Sequence, residues 1–123
     1  MGEKKKILII DDETDLVELL RIRLEALNYQ VYAANDGQEG LDKAREVNPD
    51  LILLDVMMPK MDGYQVCRML KFDEVYKNIP IIMVTARGRS QDVETGKKVG
   101  ADDYMTKPFE TSALLEKIKK FLG

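Results

Sequence analysis

The chain has 123 residues, enough for one domain with a single core and too few for a second of ordinary size. Charged residues make up 33% and hydrophobic ones 45%, which excludes a disordered tail, and the net charge of −3 lacks the basic surplus that grips a nucleic-acid backbone. With no histidine and one cysteine, Cys67, the chain has no Ser-His-Asp or Cys-His catalysis, no internal disulfide and no usual zinc ligand set, so a bound metal would be held by oxygen.

The residues from Met1 to Lys6 lead into the first apolar run without a signal-peptide core, and no apolar stretch approaches the ~20 residues of a membrane span. The expectation is a cytoplasmic protein with no direct contact to membrane or nucleic acid.

Ile7-Leu8-Ile9-Ile10 is apolar on consecutive residues and too short for a helix, as expected of a strand buried on both faces. A helix follows, with Leu16, Val17, Leu20, Leu24 and Leu27 on one face. Val31 to Ala34 reads as a weaker strand at a sheet edge, followed by a helix around 38–47.

Leu51-Ile52-Leu53-Leu54 is the next central strand. Asp62-Gly63 marks a turn and helix start, and a helix follows around 64–71. Ile81-Ile82-Met83-Val84 is the third central strand. The helix expected over 90–99 is poor, because Gly96 inside it costs ~1 kcal/mol against Ala. Asp103 to Met105 reads as the other edge strand, and the last helix places Leu114, Leu115, Ile118, Phe121 and Leu122 on one face. Five strands alternating with five helices predict a doubly wound α/β domain with a parallel sheet, spanning 1–123 without linker or repeat.

Sites in open parallel sheets form outside the carboxyl ends of the strands. Asp11 and Asp12 follow the first strand, Asp55 ends the third, Thr85 ends the fourth and Lys107-Pro108 follows the fifth. Each has an ordinary structural reading: Asp12 as a helix N-cap, Thr85 as a cap or buried hydroxyl, Lys107-Pro108 as a turn. Asp55 differs, because a lone carboxylate closing a fully apolar strand is costly to desolvate and wants a cation.

If the first and third strands are neighbours, Asp11, Asp12 and Asp55 converge. Three carboxylates repel one another unless a hard divalent ion binds them, with Mg²⁺ the natural choice and Mn²⁺ the alternative. Such a site suits phosphoryl transfer to a carboxylate nucleophile, Asp55. Lys107 would supply positive charge to the phosphoryl group and Thr85 a hydroxyl hydrogen bond.

The stretches Ile7 to Glu13, Asp50 to Pro59 with Met61-Asp62-Gly63, Pro80 to Ala86 and Gly100 to Phe109 resemble, in order and over nearly the whole chain, the receiver domain of two-component response regulators. The resemblance implies a flavodoxin-like sheet of order 2-1-3-4-5. It implies that Asp55 takes a phosphoryl group from the phosphohistidine of a sensor histidine kinase or phosphotransfer protein. Asp12, Asp55 and the Met57 carbonyl would bind Mg²⁺, with Asp11 assisting through water, while Thr85 and Lys107 hold phosphoryl oxygens.

Thr85 and Tyr104 would switch conformation as the helix over 90–99 shifts, altering contact with a downstream effector, although Tyr104 also reads as an ordinary surface or core aromatic. Met57 and Arg87 would tune the lifetime of the acyl phosphate, and the peptide bond before Pro108 would be cis. Catalysis beyond self-phosphorylation and slow self-dephosphorylation is not expected. Phosphorylated receivers often dimerise, here through residues about 90–122, where Lys98, Asp102, Asp103 and Lys117 offer complementary charges. The chain ends just after the last helix, which leaves open a stand-alone receiver or part of a larger regulator.

Three alternatives share parts of this pattern. A phosphatase of the HAD type also uses an Asp nucleophile and Mg²⁺, but needs a second Asp where this chain has Met57. A flavodoxin-like FMN module needs a Ser/Thr/Gly-rich phosphate loop where this chain has Asp-Asp-Glu. A receiver-like module that no longer takes phosphate would tolerate loss of Asp12, Asp55, Thr85 or Lys107, all of which are present.

Overall fold

The structure, a computed structural model, describes residues 3–58, 61–85 and 99–123. Its elements run β1 (Lys6–Ile10), α1 (Thr14–Ala26), β2 (Gln30–Ala34), α2 (Gly37–Val47), β3 (Leu51–Asp55), α3 (Gly63–Lys71), β4 (Ile81–Thr85), β5 (Asp103–Thr106) and α4 (Thr111–Leu122). All the strands pair in parallel, in the order β2-β1-β3-β4-β5. The helix expected over 90–99 lies, apart from Val99, outside the described residues, as do Pro59, Arg87, Gly96 and Lys98. The described residues therefore hold four helices where the sequence predicts five.

The unbroken apolar runs arise because successive side chains of a buried strand serve opposite faces. Leu8, Ile10, Ile52, Leu54, Ile81 and Met83 point to the layer of α2 and α3, where they meet Leu41, Ala44, Val66, Cys67 and Leu70. Ile7, Ile9, Leu51, Leu53, Ile82 and Val84 point to the layer of α1 and α4, where they meet Val17, Leu20, Leu24, Leu114 and Ile118. Leu27, expected on the buried face of α1, instead caps that helix and is 43% exposed.

Local chemistry sets the entry of α3. Asp62 accepts from the Gln65 N–H at 3.0 Å while the Gln65 side chain accepts from the Asp62 N–H at 3.1 Å, a reciprocal cap that satisfies two otherwise orphaned donors. Asp12 does not cap α1; the N-cap position is Glu13, whose side chain makes no capping bond.

Charges near β5 are engaged inside the chain. Lys71 Nζ lies 2.6 Å from Asp102 Oδ2, and Lys117 Nζ lies 3.1 Å from Asp103 Oδ2. Asp102, Asp103 and Lys117, expected to complement a second copy, thus already have intramolecular partners.

Candidate functional site

Parallel register carries the polar residues to one rim. Ile10 pairs with Ala34 and Leu54, Asp55 with Val84, and Thr85 with Thr106, so residues just beyond these pairs meet at the carboxyl edge of the sheet. The Asp11 N–H continues the β1–β2 ladder to the Ala34 carbonyl at 3.1 Å. The Lys107 N–H continues the β4–β5 ladder to the Thr85 carbonyl at 2.8 Å. Backbone hydrogen bonds thereby bring Asp11 and Lys107, 96 residues apart, within hydrogen-bond reach of each other at this rim.

Asp11, Asp12 and Asp55 each bring a carboxylate oxygen within 4.8 Å of the others. Asp11 and Asp55 are buried and Asp12 is exposed. Lys107 is the one described cation close to them: its Nζ lies 3.0 Å from Asp11 Oδ2, 2.7 Å from Glu13 Oε1 and 3.8 Å from Asp55 Oδ1. Thr85 is buried at the end of β4. The Lys107–Pro108 peptide is cis. Asp11 Oδ1 accepts from the Glu13 N–H at 2.9 Å, and Asp55 Oδ1 from the Met57 N–H at 3.4 Å.

Burial, then the charge of Asp11, push the Asp55 carboxyl up from the ordinary carboxylate value to about 6. Lys107 and the Met57 N–H pull the other way without cancelling the rise, and Asp12 adds to it. Burial alone would lower the Lys107 ammonium, but hydrogen bonds to Glu13 and Asp11 and the charge of Asp55 outweigh it, so the amine is held above its usual value. One ammonium among four carboxylates leaves an excess of negative charge on oxygen donors. That chemistry fits a small hard cation and admits several waters as further ligands.

The cleft holds about 820 Å³ and has a mixed polar and apolar lining. Asp12, Glu13, Asp55 and Lys107 supply polar lining, and Leu16, Leu19 and Phe109 supply apolar lining. Tyr104 stands further from this rim, pairing with Met83 in β5 and packing against the α2–α3 layer. Its hydroxyl is buried and, among the described residues, without a hydrogen-bond partner.

Two residues contribute to the site beyond what the sequence suggests, where Glu13 only closes a matching stretch and Gly63 only marks a turn. Glu13 reaches Lys107, although an acidic residue at a helix start ordinarily signals only dipole complementarity. Gly63 packs its Cα against the end of β3, where an added Cβ would strike the Asp55 carbonyl oxygen and come within 2.9 Å of the Val56 Cα. Backbone cannot yield as a side-chain tip does, so Gly63→Ala is expected to destabilise the protein by about 2–3 kcal/mol. Urea denaturation checks this, and a loss below about 0.5 kcal/mol, the level of an ordinary surface change, would show that α3 is not seated on the Asp55 backbone.

A doubly wound 2-1-3-4-5 sheet with an acidic crevice where the winding reverses is the architecture of CheY-like α/β proteins. A family model described as the response regulator receiver domain matches residues 7–119, and the chain belongs to that family.

Among curated proteins it is 47% identical over 118 residues to the alkaline phosphatase synthesis transcriptional regulatory protein PhoP of Bacillus subtilis, covering 96% of this chain and 48% of PhoP. It is 45% identical over 117 residues to the DNA-binding dual master transcriptional regulator RpaA of Synechocystis, covering 95% of this chain and 48% of RpaA. The chain thus spans about half the length of the curated relatives it matches.

Among solved structures, the chemotaxis protein CheY4 of Vibrio cholerae superposes with a TM-score of 0.90 at 32% identity, covering 96% of this chain and 98% of CheY4. A putative response regulator of Chloroflexus aurantiacus superposes at 0.91 with 34% identity, covering 97% of this chain and 98% of that one.

These relatives lend no support to the expectation that nucleic acid is not contacted, since RpaA is named as DNA-binding. Among the described residues no helix is long and apolar enough to cross a membrane.

Proposed function

We propose that residues 1–123 form one phosphorylation switch in which Asp55 is the phosphoacceptor. The observation that carries this reading is the convergence of Asp11, Asp12 and Asp55 beside the Lys107 ammonium at the carboxyl edge of the sheet. Asp12, Asp55 and the backbone carbonyl of Met57 would hold Mg²⁺, with Asp11 assisting through water and Mn²⁺ a substitute. When bound, the ion supplies charge neutralisation at phosphoryl oxygens.

The chain's own residues do the remaining work. An Asp55 carboxylate oxygen attacks phosphorus, a P–O bond forms as the P–N bond of the donor phosphohistidine breaks, and the electron pair leaves with the imidazole. Lys107 donates to a phosphoryl oxygen and Thr85 offers its hydroxyl to another. Hydrolysis of the acyl phosphate by water resets the switch, at a rate that Met57 and Arg87 would tune.

The donor is a sensor histidine kinase or phosphotransfer protein in the cytoplasm. Thr85 and Tyr104 would transmit the change to an effector, or to a second copy of the chain by way of residues about 90–122. Whether the output is a separate protein or a further segment belongs to the whole protein, as it does for relatives of twice this length.

The test is incubation with acetyl phosphate, with and without Mg²⁺, for wild type and Asp55→Asn, followed by acid quench and intact-mass analysis. A single phosphate adduct that needs both Mg²⁺ and Asp55 is expected. No adduct on folded protein, with a known receiver labelled in parallel, would favour a phosphate-independent interaction module instead.

A further inference from the structure

The proposed transfer makes no use of Glu13, yet Glu13 makes the shortest contact to the lysine on which that transfer depends. The residue occupies the N-cap position of α1 without capping it, and its Oε1 accepts from Lys107 Nζ at 2.7 Å. The second hydrogen bond of the ammonium goes to Asp11 Oδ2 at 3.0 Å. Asp55 Oδ1, at 3.8 Å, is beyond hydrogen-bond reach. The ammonium is therefore held toward α1 and away from the atom that would carry the phosphoryl group.

The two holding partners differ in kind. The Asp11 side chain is 5% exposed, whereas that of Glu13 is 60% exposed and ends on a flexible stem in solvent. Releasing Asp11 would strand a buried carboxylate, but releasing Glu13 returns a carboxylate to water at little cost. A phosphoryl group on Asp55 presents more negative charge than a carboxylate and three acceptor oxygens, so it outcompetes Glu13 more readily than Asp11.

We propose that Glu13 is a positioning residue: it parks the Lys107 ammonium off Asp55 in the unphosphorylated protein, and the phosphoryl group must draw the lysine out of that contact. This rests on the Asp55 reading given above. The latch biases the switch toward its unphosphorylated state, by an amount set by one half-exposed ion pair.

The contact is separable from the mere presence of a negative charge. Glu13→Asp keeps the charge but is one methylene shorter, so it loses the contact, and Glu13→Ala loses both. The readout is the apparent affinity for beryllofluoride, a phosphoryl mimic, at saturating Mg²⁺, followed by fluorine NMR, with thermal melting of each variant to confirm folding.

Both variants are expected to bind about two- to five-fold more tightly than wild type, the range set by exposed ion pairs. In a Lys107→Met background the same substitutions should change affinity by less than about 1.5-fold, because the cycle has lost its partner. Glu13→Asp that matches wild type while Glu13→Ala tightens, or a gain that persists without Lys107, would overturn the latch in favour of simple charge repulsion. No change in either variant would overturn it outright. Wild type that binds no beryllofluoride, or Asp55→Asn that binds it equally well, would overturn the Asp55 reading and the latch with it, a result distinct from failure of the latch alone.

Discussion

Asp55→Asn is expected to stabilise the metal-free protein at pH 7 by about 1–3 kcal/mol, the opposite of what most buried substitutions do. Burial and Asp11 raise the carboxyl to about 6, well above its value near 3.8 in the unfolded chain. Between those values the folded protein binds the proton more tightly than the unfolded chain does. The resulting contribution is complete below pH ~3.8 and is lost as pH rises through ~6.

At neutral pH the folded state therefore carries an ionised Asp55 that the unfolded chain tolerates more easily. An asparagine of the same shape removes that burden and still accepts the Met57 N–H. Urea denaturation in EDTA should show the gap between variant and wild type opening from pH 4 to pH 7. A gap that stays flat or changes sign would mean that Lys107 neutralises the site more fully than its 3.8 Å separation from Asp55 implies. Added Mg²⁺ should close the gap from the wild-type side. Ligand at a hundred times its dissociation constant contributes about 2.7 kcal/mol, and Asp55→Asn weakens the ligand set that receives it.

The same features that make Asp55 unstable made it legible. A carboxylate closing a five-residue strand that is otherwise apolar breaks the pattern, and so do Asp11 and Asp12 after β1 and Lys107 after β5. The parallel sheet was legible because consecutive apolar residues can be buried only where both faces are covered, as Ile7 to Ile10 are.

Long-range side-chain pairing was not legible. Glu13 and Lys107 lie 94 residues apart, and nothing in either segment alone says that they touch. Asp102 and Asp103 look like free surface charges in sequence, yet Lys71 and Lys117 reach them through the packing of α3 and α4 against the sheet. Leu27 follows the helical period of α1 but falls where the helix stops, so periodicity alone places it one position too far into the core. The capping reading of Asp12 failed for a related reason: the chain leaves β1 with Asp11 already accepting the Glu13 N–H, which carries the cap position one residue further along.

Outside the cleft, loss of the Lys71 ammonium is expected to have a large effect. Its side chain is 11% exposed, and its ammonium bonds the Ile79 carbonyl at 2.8 Å and the Lys77 carbonyl at 3.1 Å besides pairing with Asp102. Asp102 Oδ2 in turn accepts from the Ile81 N–H at 2.8 Å, so one ammonium ties the end of α3, the approach to β4 and the start of β5 together. The stem also fills space beside Gly100, where φ is +92° and a Cβ would sit 3.3 Å from the Lys71 Cβ and Cγ.

Removing the amine leaves two carbonyls and a carboxylate short of a donor. Breaking a buried pair from one side costs about 3–5 kcal/mol, and because Asp102 keeps 34% of its side chain in solvent, Lys71→Met is expected to cost about 2–4 kcal/mol. Methionine preserves most of the stem, so the loss reports the charge and its hydrogen bonds rather than packing. Asp102→Asn, which can still accept the Ile81 N–H, should cost less. In the double variant the two losses should fall short of additive by about 1 kcal/mol or more, the signature of residues that share one network. Additive losses in urea denaturation would instead mean that the two carbonyls, and not the ion pair, are what Lys71 serves.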